Sequence, residues 1–148
     1  MTVEVNFRYY KSQDREDCLK IFDANCPKFF ASNERSDYAA FLDASPTAYE
    51  VCILNGDIVG AFGLLGDEPL YQSINWIMIS PSAQGYGIGS IFMDRAISVA
   101  KRNKLEHIKI AASHLSAPFF SKYGAVSVSE LENGWGLGMH RVDMELYI

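Results

Sequence analysis

From residue 84 to residue 90 the chain reads Gln84-Gly85-Tyr86-Gly87-Ile88-Gly89-Ser90, with glycine at alternate positions. Glycine adopts backbone angles closed to other residues, so this stretch can turn tightly and expose its N–H groups. An amphipathic run follows. Phe92, Met93, Ala96, Ile97 and Ala100 form an apolar stripe; Asp94, Arg95, Ser98, Lys101 and Arg102 form a polar one. That spacing predicts a helix over residues 89–104. The first N–H groups of a helix have no partner within it, and its dipole is positive there. A glycine turn feeding such an end suits a phosphate or diphosphate and needs no basic side chain.

Three phosphate-binding patterns compete for this stretch. A P-loop requires Gly-Lys-Ser/Thr at the helix start, where this chain has Gly87-Ile88-Gly89-Ser90. A dinucleotide fingerprint, Gly-x-Gly-x-x-Gly, would begin at Gly85 but meets Ser90 in its last place. Its ribose acid would be Glu106, which precedes the next strand instead of ending it. That nucleotide reading predicts binding of NAD. The third pattern is (Arg/Gln)-x-x-Gly-x-(Gly/Ala), which Gln84, Gly87 and Gly89 match in full.

Other reactive side chains are scattered. His107, His114 and His140 have no paired carboxylate spacing, so no metal site is expected. His114 follows a strand end and has the right chemistry for proton transfer. Cys18, Cys26 and Cys52 are odd in number and widely spaced, which predicts free thiols and no disulfide framework. Phe29-Phe30, Trp76 and Trp135 could wall a substrate pocket, and Glu34 stands near the same region.

The elements that must hold these residues follow from periodicity and turn chemistry. Alternation predicts a strand over residues 3–9. Asp14 can cap a helix that Pro27 ends. Ser32 or Ser36 starts a second helix carrying Tyr38, Phe41 and Leu42. Asn55-Gly56 joins strands over residues 48–54 and 57–65 as a hairpin. Strands follow over 73–79 and, after the long helix, 107–112. Ser116 caps a short helix that Gly124 ends. Two last strands, 125–130 and 139–147, flank a turn holding Asn133-Gly134-Trp135-Gly136, which could serve as a flap. The order β α α β β β α β α β β implies a mostly antiparallel sheet with one βαβ crossover near residue 90 and helices on its faces.

The chain has 148 residues, 49% of them hydrophobic, which suits one domain spanning residues 1–148 with a real core. Thirteen Lys+Arg against eighteen Asp+Glu give a net charge of −5, which argues against a general nucleic-acid partner. No apolar run approaches the roughly 20 residues of a membrane span, and the first residues lack a signal-peptide pattern. A cytoplasmic protein with no membrane partner is expected. Exposed edge strands would allow a homodimer.

The Gln84-x-x-Gly87-x-Gly89 match resembles the signature of the GCN5-related N-acetyltransferases, the GNAT family. Its surroundings agree: the Ile79-Ser80-Pro81 lead-in, the long helix, a strand, then a short helix ending in Tyr123-Gly124-Ala125, similar to the family's Tyr-x-x-x-Gly-Phe motif. The resemblance covers about residues 73 to 126 and implies a mixed, mostly antiparallel α/β sheet of about seven strands with helices on both faces. It implies acetyl-CoA as co-substrate, no metal, and a primary amine of a small molecule or protein as acceptor, attacked directly without an acyl-enzyme. By this resemblance the amides of Gln84, Gly85, Tyr86, Gly87, Ile88, Gly89 and Ser90 cradle the diphosphate. Met78, Ile79 and Ser80 line the pantetheine arm, and an N–H near Met78 polarises the thioester. Ser113 stands where the family often has an asparagine bonding pantetheine. Phe120 stands where the family commonly has the tyrosine that protonates the departing thiolate. Tyr123 and His114 are then the candidate catalytic groups, and Phe30 and Glu34 the candidate acceptor contacts. The missing tyrosine and the lack of an evident base also motivate a rival, a non-catalytic acyl-CoA-binding regulatory module.

Overall fold

The computed structural model describes residues 4–148; Val3, expected in the first strand, lies outside the described residues. Among the described residues seven strands form one sheet: β1 (Asn6–Tyr9), β2 (Tyr49–Leu54), β3 (Asp57–Leu65), β4 (Tyr71–Ile79), β5 (His107–Ser113), β6 (Val126–Gly136) and β7 (Met139–Tyr147). Four helices accompany them: α1 (Arg15–Ala24), α2 (Arg35–Asp43), α3 (Ile88–Arg102) and α4 (Ala117–Ser121). The strand order is β1-β2-β3-β4-β5-β7-β6, antiparallel except where β4 meets β5. Those two are joined by α3, the single βαβ crossover anticipated near residue 90. No helix among the described residues is long and apolar enough to cross a membrane.

Helices cover both faces. Phe92, Met93, Ala96 and Ala100 of α3 pack with Phe120 of α4 on Phe62, Ile108, Ile110 and Met144. On the other face Leu19 and Phe22 of α1 and Tyr38 and Leu42 of α2 pack on Tyr49, Val51, Ala61 and Met78. Asn55 and Gly56 turn the β2–β3 hairpin, both with positive φ (53° and 86°), as a two-residue turn between twisted strands requires.

Two expectations shift. The turn placed at residues 133–136 lies later, because β6 runs on to Gly136. Between the pairs Leu131↔Arg141 and Gly136↔Met139 it carries extra residues that β7 does not match. Trp135 therefore projects from a bulged strand. Its Nε1 donates to Ala112 O at 2.9 Å and its carbonyl accepts from Asn33 Nδ2 at 2.8 Å, so it is pinned and not on a flap. The second shift concerns Asp14. It stands at the N-cap position of α1 but does not cap it. Its carboxylate instead accepts from Arg8 Nη1 and Nη2 (2.7 and 2.8 Å) and from the Lys11 N–H (2.9 Å).

The hydrogen bonds from Arg8 hold the Asp14 carboxyl below its ordinary value, against the opposing effect of burial. A lowered folded value means stability that is full at neutral pH and is lost as pH falls through that value. Asp14→Asn should therefore lower the urea midpoint at pH 7, a loss of about 1–2 kcal/mol given Arg8's partial exposure. The gap to the parent protein should narrow as the pH is lowered through the carboxylate range.

Candidate functional site

A bulge and a splay build the site. Ala61 pairs with Met78 and Gly63 with Asn75, so β4 spends one more residue than β3 between these pairs. Trp76 sits in that bulge with φ of +46°, a conformation rare for a bulky side chain. On its other side β4 pairs with β5 only from Tyr71↔His107 to Ile74↔Ile110. Beyond that pair the strands separate, and a cleft of about 880 Å³ occupies the gap. Its walls include Ile74–Ile79 from β4, Ile110–Ser113 from β5, the turn into α3, and α4.

Bonds around the bulge orient its peptides. Tyr49 Oη donates to Trp76 O at 2.6 Å, and Tyr38 Oη, 2.9 Å away, completes the pair behind it. Burial drives both phenols far above their ordinary pKa, so they remain protonated donors. Across a trans peptide the C=O and the next N–H point oppositely. The Ile77 N–H therefore points away from Tyr49, and Ile77 has no partner in the β3 or β5 register. The Ser80 N–H donates to Val59 O at 2.7 Å. By alternation Met78 also turns its backbone toward β3, and Ile79 turns its own away. The backbone groups facing the gap, expected at Met78 and Ser80, thus belong to Ile77 and Ile79. The Ile79 carbonyl is itself held by Asn25 Nδ2 at 3.0 Å, which ties the end of α1 to the end of β4.

At the other end of the cleft, Gly87 caps α3 with φ of +77° and Gly85 has φ of +90°. A Cβ at either would meet nothing within 4 Å, so the space before the turn is open. Gly89 differs. A Cβ there would come within 2.9 Å of the Phe119 ring, so a side chain at this position would have to displace that ring. The amides of residues 85 to 90 donate to no described residue. Gln84 does not share this freedom, because its N–H reaches Pro81 O at 3.3 Å. The cradle therefore begins at Gly85. Six amides without a partner among the described residues and the helix dipole lie together at this turn, which suits an anion.

Of the residues singled out by sequence, Met78, Ile79, Gln84, Gly85, Gly87, Ile88, Gly89, Ser90, Ser113, Phe120, Tyr123, Phe30 and Glu34 line the cleft. Ser80, Tyr86 and His114 do not. Tyr86 projects into solvent. His114 stacks against His140 in a separate, smaller depression, its Nδ1 accepting from the His140 N–H at 3.1 Å. That position takes it off the cleft wall. Tyr123 is on the wall, but its hydroxyl is hydrogen-bonded to Ser90 Oγ. It stands at the amide cradle, a poor place for an acid at the bulge. Ser113 Oγ pairs with Ser116 Oγ at 3.0 Å. Phe120 is buried in the core beneath the cleft.

Sequence reasoning missed Asn25, Ile77, Phe119, Lys122 and the Tyr38–Tyr49 pair. None has a local pattern that marks it, since each acts across strands distant in sequence. Phe29, Trp76 and Trp135, named only as candidate aromatics, all reach the wall. Among the described residues no cluster of His, Cys, Asp and Glu could hold a metal.

A seven-stranded mixed sheet opened between its two parallel strands, with unpaired amides at the helix joining them, defines the acyl-CoA N-acyltransferase fold. The sequence profile of the acetyltransferase (GNAT) family matches residues 18–125, and the chain belongs to that family. Its reaction class is thus acyl transfer. Similar solved structures include Ard1 from Thermoplasma volcanium, with 17% identity, a TM-score of 0.82 and 99% of each chain covered. Rv2747 from Mycobacterium tuberculosis, solved in complex with CoA, has 17% identity and a TM-score of 0.74 over 97% of this chain and 99% of that one. N-acetylglutamate synthase from Neisseria gonorrhoeae, complexed with coenzyme A and N-acetyl-glutamate, has 16% identity and a TM-score of 0.70, covering 100% of this chain and 36% of that one. At such identities the likeness is one of fold. Among curated proteins none matches the chain by sequence.

Proposed function

We propose that this chain transfers an acetyl group from acetyl-CoA to a primary amine by direct attack, within a single catalytic domain. The observation that carries the reading is the continuity of the cleft. It runs from the six free amides at residues 85–90 to the unpartnered Ile77 N–H at the bulge. The amides would take the diphosphate, and the pantetheine arm would lie between β4 and β5 as an extra strand against Ile79. The thioester carbonyl would then accept from Ile77 N–H, which stabilises the oxyanion as it forms.

The amine nitrogen, freed of its ammonium proton, attacks the carbonyl carbon. The C–S bond breaks, the nitrogen loses its second proton, and the thiolate of CoA takes one up. Acetyl-CoA and amine become amide and free CoA. The two tyrosine hydroxyls beside the bulge are committed, Tyr38 to Tyr49 and Tyr49 to Trp76 O, so we assign that last protonation to water and assign Tyr123 to the rim of the cradle. Bringing amine and thioester together in the cleft supplies rate without an acid, since orientation alone can lower a barrier by several kcal/mol.

The phenyl ring of Phe120 and the Ser90-bound Tyr123 favour a second reading, an acyl-CoA-binding module without turnover. A thiol-release assay with purified protein, acetyl-CoA and a panel of amines separates the two. Amine-dependent CoA release is expected. Tight acetyl-CoA binding with no release on any amine would leave the second reading standing.

A further inference from the structure

The cleft reaches both faces of the sheet through the β4–β5 gap, and its two ends differ in chemistry. On the α3 and α4 face lie the amides and Lys122, the one basic side chain on the wall among the described residues. On the α1 and α2 face the wall is aromatic. Phe30 stacks on Trp76 with centroids 6.1 Å apart, and Trp76 is backed by Tyr38 at 4.9 Å. Phe29 and Trp135 flank them. Trp135 is held over this end because its carbonyl is bonded to Asn33, beside Glu34.

Glu34 is the one acidic side chain on the cleft wall among the described residues, and it is only 5% exposed. Its Oε2 accepts from the Ala31 N–H at 2.8 Å, closing the turn that leads into α2. Its Oε1 takes no donor from any described residue, and among these no basic side chain lines this end; Lys28 and Arg141 lie against the Phe29 and Trp135 rings, 5.1 and 4.9 Å from their centroids, off the cleft wall. A carboxylate buried without a cation is costly, so a cation supplied by a ligand would be bound strongly. Burial pushes the Glu34 carboxyl above its ordinary pKa, with the Ala31 N–H opposing it. An arriving ammonium would reverse that push.

We propose that the acceptor is a primary amine on an otherwise uncharged aromatic or alkyl body, its ammonium set against Glu34 Oε1 and its body against Phe30 and Trp76. The aromatic faces suit both parts, since they bury apolar surface and attract a cation. Exclusion matters equally. An amino acid would bring its own carboxylate beside Glu34, where no basic side chain among the described residues is on the wall at this end, and like charge in a dry site is a strong barrier. This inference rests on the acetyl-transfer reading.

Initial rates at saturating acetyl-CoA would be compared for 2-phenylethylamine, n-hexylamine, L-phenylalanine, L-glutamate, spermidine and a short peptide with a free N-terminus. We expect kcat/KM for the first two at least tenfold above all others. Phenylalanine is the sharpest comparison, because it differs from phenylethylamine only by the carboxylate. In the Glu34→Gln protein, KM for phenylethylamine should rise about tenfold while the dissociation constant for acetyl-CoA stays put. A preference for an amino acid, polyamine or peptide would overturn the acceptor class and leave acetyl transfer intact. An unchanged KM in the variant would overturn the role of Glu34. Failure of every amine while acetyl-CoA still binds would sink both the acceptor class and the transfer reading.

Discussion

Gly87→Glu is expected to abolish acetyl-CoA binding, with the dissociation constant rising more than a hundredfold by isothermal titration, while the protein stays folded. Position 87 is the N-cap of α3, and its φ of +77° turns the chain so that the free amides face open space. A glutamate there would fill that space with bulk and negative charge. Its carboxylate could also accept from the α3 amides and compete with the diphosphate directly. A hundredfold loss corresponds to about 2.8 kcal/mol, within reach when several charge-assisted bonds are displaced. The left-handed backbone itself penalises any side chain by about 1–2 kcal/mol, so Gly87→Ala is the control. It carries the same strain with a Cβ that meets nothing. Alanine should weaken binding only slightly. Equal losses in both variants would assign the effect to backbone strain and remove the amides from the diphosphate site.

Tyr49→Phe is expected to lower kcat about thirtyfold without changing the affinity for acetyl-CoA. The Tyr49 hydroxyl touches no substrate atom in this proposal. It fixes the Trp76 carbonyl and, through the planar peptide, the direction of the Ile77 N–H. Loss of one oxyanion donor elsewhere costs a factor of about 10²–10³ in rate. Loosening a donor that is still present should cost part of that. Removing a buried hydroxyl also destabilises the fold by about 1–2 kcal/mol, so a matched loss elsewhere is needed. Ile108→Val supplies it, since Ile108 is fully buried and pairs with Gln72 and Leu146, away from the bulge. Ile108→Val should lower stability and leave kcat near its starting value. A Tyr49→Phe enzyme with unchanged kcat would take the Ile77 amide out of the chemistry.

These two positions mark what local sequence could and could not disclose. Gly87 was legible. Alternating glycines before an amphipathic stripe have a local physical meaning, and the structure bears out both the turn and the helix start. The Asn55-Gly56 hairpin was legible for the same reason. Tyr49 was not. It read as one more apolar residue in a strand, and its role exists only because Gly63, with no side chain, lets the ring pass over β3 toward β4. The bulge at Trp76 was equally hidden, because an extra residue in one strand leaves alternation in the sequence intact on either side. That hidden residue is why the backbone groups facing the gap are those of Ile77 and Ile79 and not, as expected, those of Met78 and Ser80. His114 was attractive by type and by its place at a strand end. The β7 strand beside it, presenting His140, draws it off the cleft, and pairing between strands 26 residues apart leaves no local trace. Glu34 was named by its place near the helices on the acceptor side, and the fold gives it a stronger reason in a buried carboxylate with one oxygen unpartnered among the described residues.

Everything depends on the amides of residues 85 to 90 receiving the diphosphate, and amide NMR reads those groups one by one. In a ¹H–¹⁵N titration with CoA, the signals of Gly85, Gly87, Gly89 and Ser90 should move strongly downfield, as N–H groups do on bonding to phosphate. Pantetheine, which has no diphosphate, should leave these signals in place while shifting Ile77 and Ile79. CoA that binds and shifts other parts of the molecule, with residues 85 to 90 unmoved, would contradict the diphosphate site and with it the path of the cleft from cradle to bulge.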